Sequence, residues 1–317
     1  MEYAIQVEDL TKRFSDTQAL AGVDFTVRPG TVLGLLGPNG SGKTTTVRIL
    51  ATLLKADSGR ARICGYDVAT EAHEVRSLLG VTGQYAAVDE KLTGMHNLVL
   101  VGRLLGLSKS AARRRSDELL ERFGLTDSAG KLAGSYSGGM RRRLDLAASL
   151  VGQPSVLCLD EPTTGLDPRS RSAVWETVRG LVADGLTVLL TTQYLEEADQ
   201  LADDLVVIDH GKVIAQGTAD QLKAKVGGQT VEVRPADPQL LDDTLRLVTE
   251  VIGNAAPSVE GGLITAATQD PSVLPALVRR LDDAGIAVTG LALRQASLDE
   301  VFLTLTGGSD EEKRTVA

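Results

Sequence analysis

An α/β fold with a smaller α+β domain at its C-terminal end is what this 317-residue sequence predicts, on three observations. Two near-continuous apolar runs, Val156 to Leu159 and Thr187 to Leu190, flank a stretch of helical spacing from Arg169 to Ala183. That is the pattern of buried parallel strands joined by a crossover helix. A third strand-like run, Thr31 to Leu36, passes through a Gly-rich turn into a helical segment from Thr45 to Leu50. Beyond Gly227-Gly228 the element order becomes βαββαβ, the order of a small ferredoxin-like unit. The length suits about two domains of ~150 residues each.

Composition narrows the function classes. Hydrophobic residues make up 43% and charged residues 24%, enough apolar side chain for full cores, which excludes a disordered chain. Lys and Arg number 33 against 42 Asp and Glu, a net charge of −9 that does not suit a surface coating nucleic acid. Cys64 and Cys158 are the only cysteines, too few for a disulfide scaffold, and both sit in apolar sequence, as in a reducing cytoplasm. The start carries Glu2, Glu8 and Asp9 where a signal peptide needs a basic end and an apolar run. Its most apolar stretch, Asn97 to Leu107, is broken by Arg103 and falls short of the ~20 residues of a membrane span. The expected location is therefore the cytoplasm, peripheral to the membrane if the protein serves one.

In chain order, Ala4 to Val7, Asp24 to Val27 and Thr31 to Leu36 read as strands, punctuated by Pro29-Gly30 and Gly37-Pro38. Ser108 to Phe123 has helical spacing, with Leu119, Leu120 and Phe123 apolar among charges. A charged helix around Gln221 to Lys225 precedes the Gly227-Gly228 boundary. Then come a strand (Gln229 to Arg234), a helix (Pro238 to Ile252), a hairpin around Gly261-Gly262, a helix (Ser272 to Ala284) and a strand (Ile286 to Arg294). A last helix, Ser297 to Leu305, carries apolar residues at Leu298, Val301, Phe302 and Leu305, a stripe offered as a dimer or partner contact. The expected domains are residues 1–226, with a helical subdomain at about 85–150, then 227–306, then a disordered polar tail at 307–317.

The chemistry is concentrated in the first domain. Gly37-Pro38-Asn39-Gly40-Ser41-Gly42-Lys43-Thr44 is a complete G-x-x-x-x-G-K-[ST] loop between a strand and a helix that continues at Thr45. Glycines let successive N–H groups face a phosphate, the helix start adds its dipole, Lys43 bridges the outer phosphates, and Thr44 offers a hydroxyl to Mg²⁺. The strand Val156 to Asp160 ends in a carboxylate that belongs beside Mg²⁺, and Glu161 follows where an acid can polarise the attacking water. Ser137-Gly138-Gly139, at the start of another helical stretch, is a second phosphate-binding nest.

With these motifs in this order, the sequence resembles the ATP-binding cassette ATPases over roughly Ile5 to Leu222. The resemblance implies a P-loop NTPase cassette with a mixed-sheet core and a helical subdomain, ATP and Mg²⁺ as cofactors, and hydrolysis at Glu161. It implies that the Ser137 motif of one copy closes on the nucleotide held by the phosphate loop of a second copy. It places Phe14 against adenine and Gln84 on Mg²⁺. Gly165-Leu166-Asp167 matches the loop communicating across the dimer. Thr191-Thr192-Gln193 ends a strand with Gln193 where most cassettes have a histidine facing the γ-phosphate; glutamine can donate a hydrogen bond but cannot carry charge.

The longer runs Val81 to Glu90, Tyr136 to Asp145, Thr191 to Asp203 and Ser297 to Leu303 resemble the ATP-binding subunits of daunorubicin/doxorubicin-resistance exporters. That resemblance implies two copies driving two copies of an integral membrane permease on the cytoplasmic side of the membrane, with efflux of a drug, polyketide or lipid. Two other classes compete. An importer subunit also joins a cassette to a C-terminal domain. A soluble cassette ATPase working on ribosomes or DNA usually carries two cassettes, whereas this chain has one phosphate loop and an acidic balance. The run Arg113-Arg114-Arg115 reads as a solvated helix face rather than a lipid-facing patch.

Overall fold

The structure is a computed structural model and describes residues 2–83, 88–226, 229–253, 257–268, 270–294, 297–299 and 301–302. Gln84, the Gly227-Gly228 boundary, the end of the terminal helix and the tail from Gly307 lie outside the described residues. The chain divides into two compact units, Met1–Thr218 and Ala219–Ala317.

The first unit opens with a long hairpin, β1 (Ile5–Phe14) and β2 (Thr17–Val27), then β3 (Val32–Leu36) and α1 (Lys43–Leu50). Strands β4 (Ser58–Ile63) and β5 (Tyr66–Asp67), helix α2 (Ala72–Leu78) and strand β6 (Leu79–Thr82) follow. Three helices come next, α3 (Gly94–Leu104), α4 (Lys109–Arg122) and α5 (Gly138–Ser149). Their starts are fixed chemically: Thr93, Ser108 and Ser137 each accept a hydrogen bond from the backbone N–H three residues on. The unit closes with β7 (Val156–Asp160), α6 (Pro168–Ala183), β8 (Thr187–Thr192), α7 (Leu195–Leu201), β9 (Asp204–Asp209) and β10 (Lys212–Gly217).

These strands form two sheets. An antiparallel sheet has the order β2-β1-β4-β5. A six-stranded sheet has the order β10-β9-β3-β8-β7-β6, parallel except for β10. Its central strands are buried on both faces. Leu157 and Leu159 of β7 and Val188 and Leu190 of β8 join the core that contains Val174, Val178 and Leu181 of α6. Val156, Cys158 and Leu189 face the other core, with Val47 and Ile49 of α1. Two-faced burial explains why these strands read as continuous apolar runs rather than alternating ones. The first hairpin was visible only at its ends: between Val7 and Phe14 the strand is half exposed and its pairing shifts register after Val7, Leu10 and Lys12, which blurs the period of two.

The second unit holds α8 (Ala219–Val226), β11 (Gln229–Pro235), α9 (Leu241–Ile252), β12 (Ser258–Glu260), β13 (Leu263–Thr268), α10 (Val273–Asp283) and β14 (Val288–Arg294). The division falls before α8, so this helix groups with the second unit, eight residues ahead of the double glycine read as the boundary. Its sheet is antiparallel with the order β12-β13-β11-β14, the ferredoxin-like order. Val231, Val233 and Ile264 of the sheet pack with Val248 of α9 and Leu277 and Leu281 of α10. Leu277→Ala is expected to cost this unit about 2–5 kcal/mol, because it leaves a cavity in a small core. Thermal unfolding of the full chain checks it: the second unit should melt earlier, and an unchanged profile would show that the core collapses around the gap. Residues 298–299 and 301–302 are helical, and Leu298 and Val301 are already buried within the chain, so half of the apolar stripe is not free for a partner.

Candidate functional site

The phosphate loop lies at the carboxyl end of β3, in the central part of the parallel sheet, where open α/β folds place their ligands. Its glycines are steric requirements. A side chain at Gly37 would meet the Ile208 carbonyl oxygen at 2.2 Å, and Gly42, which begins α1 at φ 114°, has the Ala19 carbonyl 2.6 Å from where a Cβ would sit. The loop runs directly into the start of α1, and the N–H groups at a helix start favour an anion. Ser41 is buried and its hydroxyl has no hydrogen-bond partner among the described residues, a polar group left for a ligand.

Lys43 is 4% exposed and donates from Nζ to the carbonyl oxygens of Gly37 (2.7 Å) and Pro38 (3.1 Å). Glu161 Oε1 is 3.9 Å from the same nitrogen. Burial lowers the Lys43 pKa, and the charges of Glu161 and Asp160 oppose the shift. The lysine therefore already stretches along the loop, held by neutral carbonyls that phosphate oxygens can outcompete.

Asp160 and Glu161 leave the end of β7 beside the loop. Asp160 Oδ1 accepts from Thr44 Oγ1 (3.2 Å) and from Thr191 Oγ1 (2.5 Å). A hydroxyl and a carboxylate oxygen at this separation are the hard donors Mg²⁺ takes from protein. Among the described residues no cluster of three His, Cys, Asp or Glu side chains could hold a metal. Glu161 has φ 49°, a left-handed conformation that costs a non-glycine residue of order 1–3 kcal/mol. It is held there by its own N–H, which donates to the Thr191 carbonyl (3.0 Å) and lies 3.2 Å from the Thr191 hydroxyl. Thr164 Oγ1 donates to Glu161 Oε2 at 3.3 Å.

One cavity of about 640 Å³ collects most of these groups: Asn39, Gly40, Gly42, Lys43, Thr44, Thr45, Glu161, Thr164 and Gln193 line it. Gln193 follows the last residue of β8 and is exposed. Ser137, Gly138 and Gly139 do not line this cavity; Ser137 caps α5 and, with Gly138, faces solvent. Phe14 is also outside it, at the end of β1, 46% exposed, with Lys12 Nζ 5.6 Å from its ring centroid. Asp167 caps α6, and its hydrogen bonds from Ser170 hold its carboxyl below the ordinary range. Arg113 and Arg114 of α4 are exposed and paired along their own helix with Asp117 and Glu118, as on a solvated face, whereas Arg115 is half-buried, pairing with Glu118 at 3.2 Å and donating to the Leu150 carbonyl at 2.9 Å.

Sequence reasoning passed over Thr164 and the work of Thr191. The signal for Thr191 was present: it and Thr192 are hydroxyls at the buried end of an apolar strand, where polar groups need partners.

Comparison with known proteins gives the family. Residues 20–164 match the family described as ABC transporter, and residues 217–306 match the family described as ATP-binding protein DrrA1-3-like, C-terminal domain. The daunorubicin resistance ATP-binding protein DrrA2 of Streptomyces coeruleorubidus is 53% identical, covering 98% of this chain and 97% of its own. The Nod factor export ATP-binding protein I of Ralstonia nicotianae is 41% identical over 96% of this chain and 94% of its own. A solved ATP-binding subunit of an ABC transporter superposes with a TM-score of 0.63 at 29% identity, over 70% of this chain and 92% of its own. From its phosphate loop to its ferredoxin-like second unit, the chain belongs to the daunorubicin/doxorubicin-resistance family of ABC transporter ATP-binding subunits, which bind and hydrolyse ATP.

Proposed function

We propose that two copies of this chain close on two ATP molecules and drive the export of a drug, polyketide or lipid through a separate membrane permease, two copies of which they serve from the cytoplasmic face. The observation that carries the two-copy reading is the separation of the motifs. The cavity with Lys43, Glu161 and Gln193 contains no residue of Ser137-Gly138-Gly139, while Ser137 and Gly138 face solvent at a helix start suited to phosphate. A second copy can supply that nest to the open side of the cavity. The names of two relatives, daunorubicin resistance and Nod factor export, support an export role. Among the described residues no helix is long and apolar enough to cross a membrane.

In this mechanism Phe14 stacks on adenine, and the loop N–H groups from Gly37 to Thr45 with Lys43 neutralise the phosphates. Mg²⁺, when bound, offsets charge on the outer phosphates; Thr44 and Asp160 would hold it, with Gln84 as a further ligand. Glu161 accepts the proton of the attacking water, and Gln193 donates to the γ-phosphate or to that water.

The shared site is tested by mixing Lys43→Ala and Ser137→Arg chains. A heterodimer places both lesions in one of its two sites and leaves the other whole. Each variant alone should be inactive and the mixture should recover ATPase activity; confirmed heterodimers without recovery would refute the shared site.

A further inference from the structure

We propose that Arg142 is a positioning residue for hydrolysis, tying the helix that begins with the Ser137 motif to the peptides that carry Glu161 and Gln84. Arg142 is 6% exposed, in the second turn of α5. Nε donates to the Pro162 carbonyl at 2.7 Å, and Nη1 donates to the Gly83 carbonyl at 2.8 Å and to Asp145 Oδ2 at 3.1 Å. Pro162 follows Glu161, and Gly83 precedes Gln84. One rigid, planar group thus spans three segments that are far apart in sequence, with charge-assisted bonds stronger than neutral ones.

The neighbourhood keeps this group charged and in place. Burial lowers the Arg142 pKa while Asp145, Glu197 and Asp160 raise it, and arginine stays a cation under such opposition. Its Nη2 has no hydrogen-bond partner among the described residues. Glu197 of α7 is fully buried and accepts from Trp175 Nε1 at 3.1 Å; burial raises its pKa, and the hydrogen bonds it accepts and the Arg142 charge oppose that shift. A cavity of about 120 Å³ lined by Gly138, Arg142, Glu161, Pro162 and Thr164 joins the start of α5 to the acid's own loop. A shift of α5 when a partner engages Ser137 would therefore move the Pro162 carbonyl, and with it a glutamate already held at a strained φ. Sequence spacing gives no hint of this, because Arg142 is the middle one of three consecutive arginines, Arg141 to Arg143, and nothing local marks it out.

This inference rests on Glu161 acting as the base, and the test separates the two. ATPase rates and ATP affinity are measured on the full chain with its partner for Arg142→Lys, Arg142→Gln, Glu161→Gln and the Arg142→Lys/Glu161→Gln double variant. Lysine keeps the charge but not the fork. Misplacing the acid should lower kcat about 10- to 10²-fold in both Arg142 variants, with KM and ATP affinity within about threefold of wild type. The double variant should be no more than about threefold slower than Glu161→Gln alone, since a displaced base that is absent costs nothing more. Wild-type turnover in the Arg142 variants, loss of ATP binding, or multiplied losses in the double variant would each overturn the proposal. A Glu161→Gln single variant with near wild-type turnover would instead remove the base reading, and the positioning role with it.

Discussion

Glu161→Gln should bind ATP with near wild-type affinity and hydrolyse it at least 10²-fold more slowly. Affinity is preserved because the groups proposed to hold the nucleotide are others: the loop N–H groups and Lys43 for the phosphates, and the Thr44 and Asp160 oxygens, 3.2 Å apart, for Mg²⁺. Glu161 adds no hydrogen bond to the loop; its nearest cation is Lys43 Nζ at 3.9 Å, too long for a good bond. What the amide loses is basicity. It keeps the size of the side chain and can still meet Thr164, so the strained turn at residue 161 should survive, anchored by the bond from its own N–H to the Thr191 carbonyl. Binding without turnover should leave an ATP-bound dimer that persists on gel filtration. Equilibrium nucleotide binding beside steady-state ATPase decides it: a variant within about threefold of wild-type turnover shows that the water is activated by another group.

The parts of this site that were legible in the sequence are those whose chemistry needs fixed residue types at fixed spacing. Gly37 and Gly42 must lack a Cβ, Lys43 must reach around the loop, and Asp160 must end a buried strand, so each leaves a mark at a single position. The ferredoxin-like order of the second unit was equally readable, because strands with one polar face keep the period of two. What stayed hidden depends on contacts between distant residues. Thr191 clamps Asp160 and Glu161 from 31 and 30 positions away, and Arg142 reaches Gly83 across 59. No local periodicity encodes such pairs; only the parallel pairing of β7 with β8 and the packing of α5 bring them together. The left-handed turn at Glu161 was hidden for the same reason, since a glutamate there gives no local sign of positive φ.

Gln193→Ala should lower kcat by about 10²- to 10³-fold, the effect of removing one transition-state hydrogen bond worth ~2 to 4 kcal/mol, with little change in ATP affinity. The placement supports a role in the transition state rather than in binding. Gln193 follows β8 directly, one residue beyond the fully buried Thr192, so its backbone is anchored while its side chain is exposed at the wall of the cavity that holds Lys43 and Glu161. An amide there can donate to an oxygen that gains charge as the terminal phosphate departs, and it can accept from the attacking water. Gln193→His separates geometry from charge. Imidazole restores a donor of similar reach and titrates near pH 6.5. Protonation adds a positive charge beside the phosphate, so turnover relative to wild type should rise as the pH falls through about 7 to 6. Steady-state ATPase with the permease present, measured for wild type, alanine and histidine across that range, gives the answer. An alanine variant as fast as wild type would make Gln193 a bystander at the cavity rim, and a flat histidine profile would show that its side chain never approaches the developing charge.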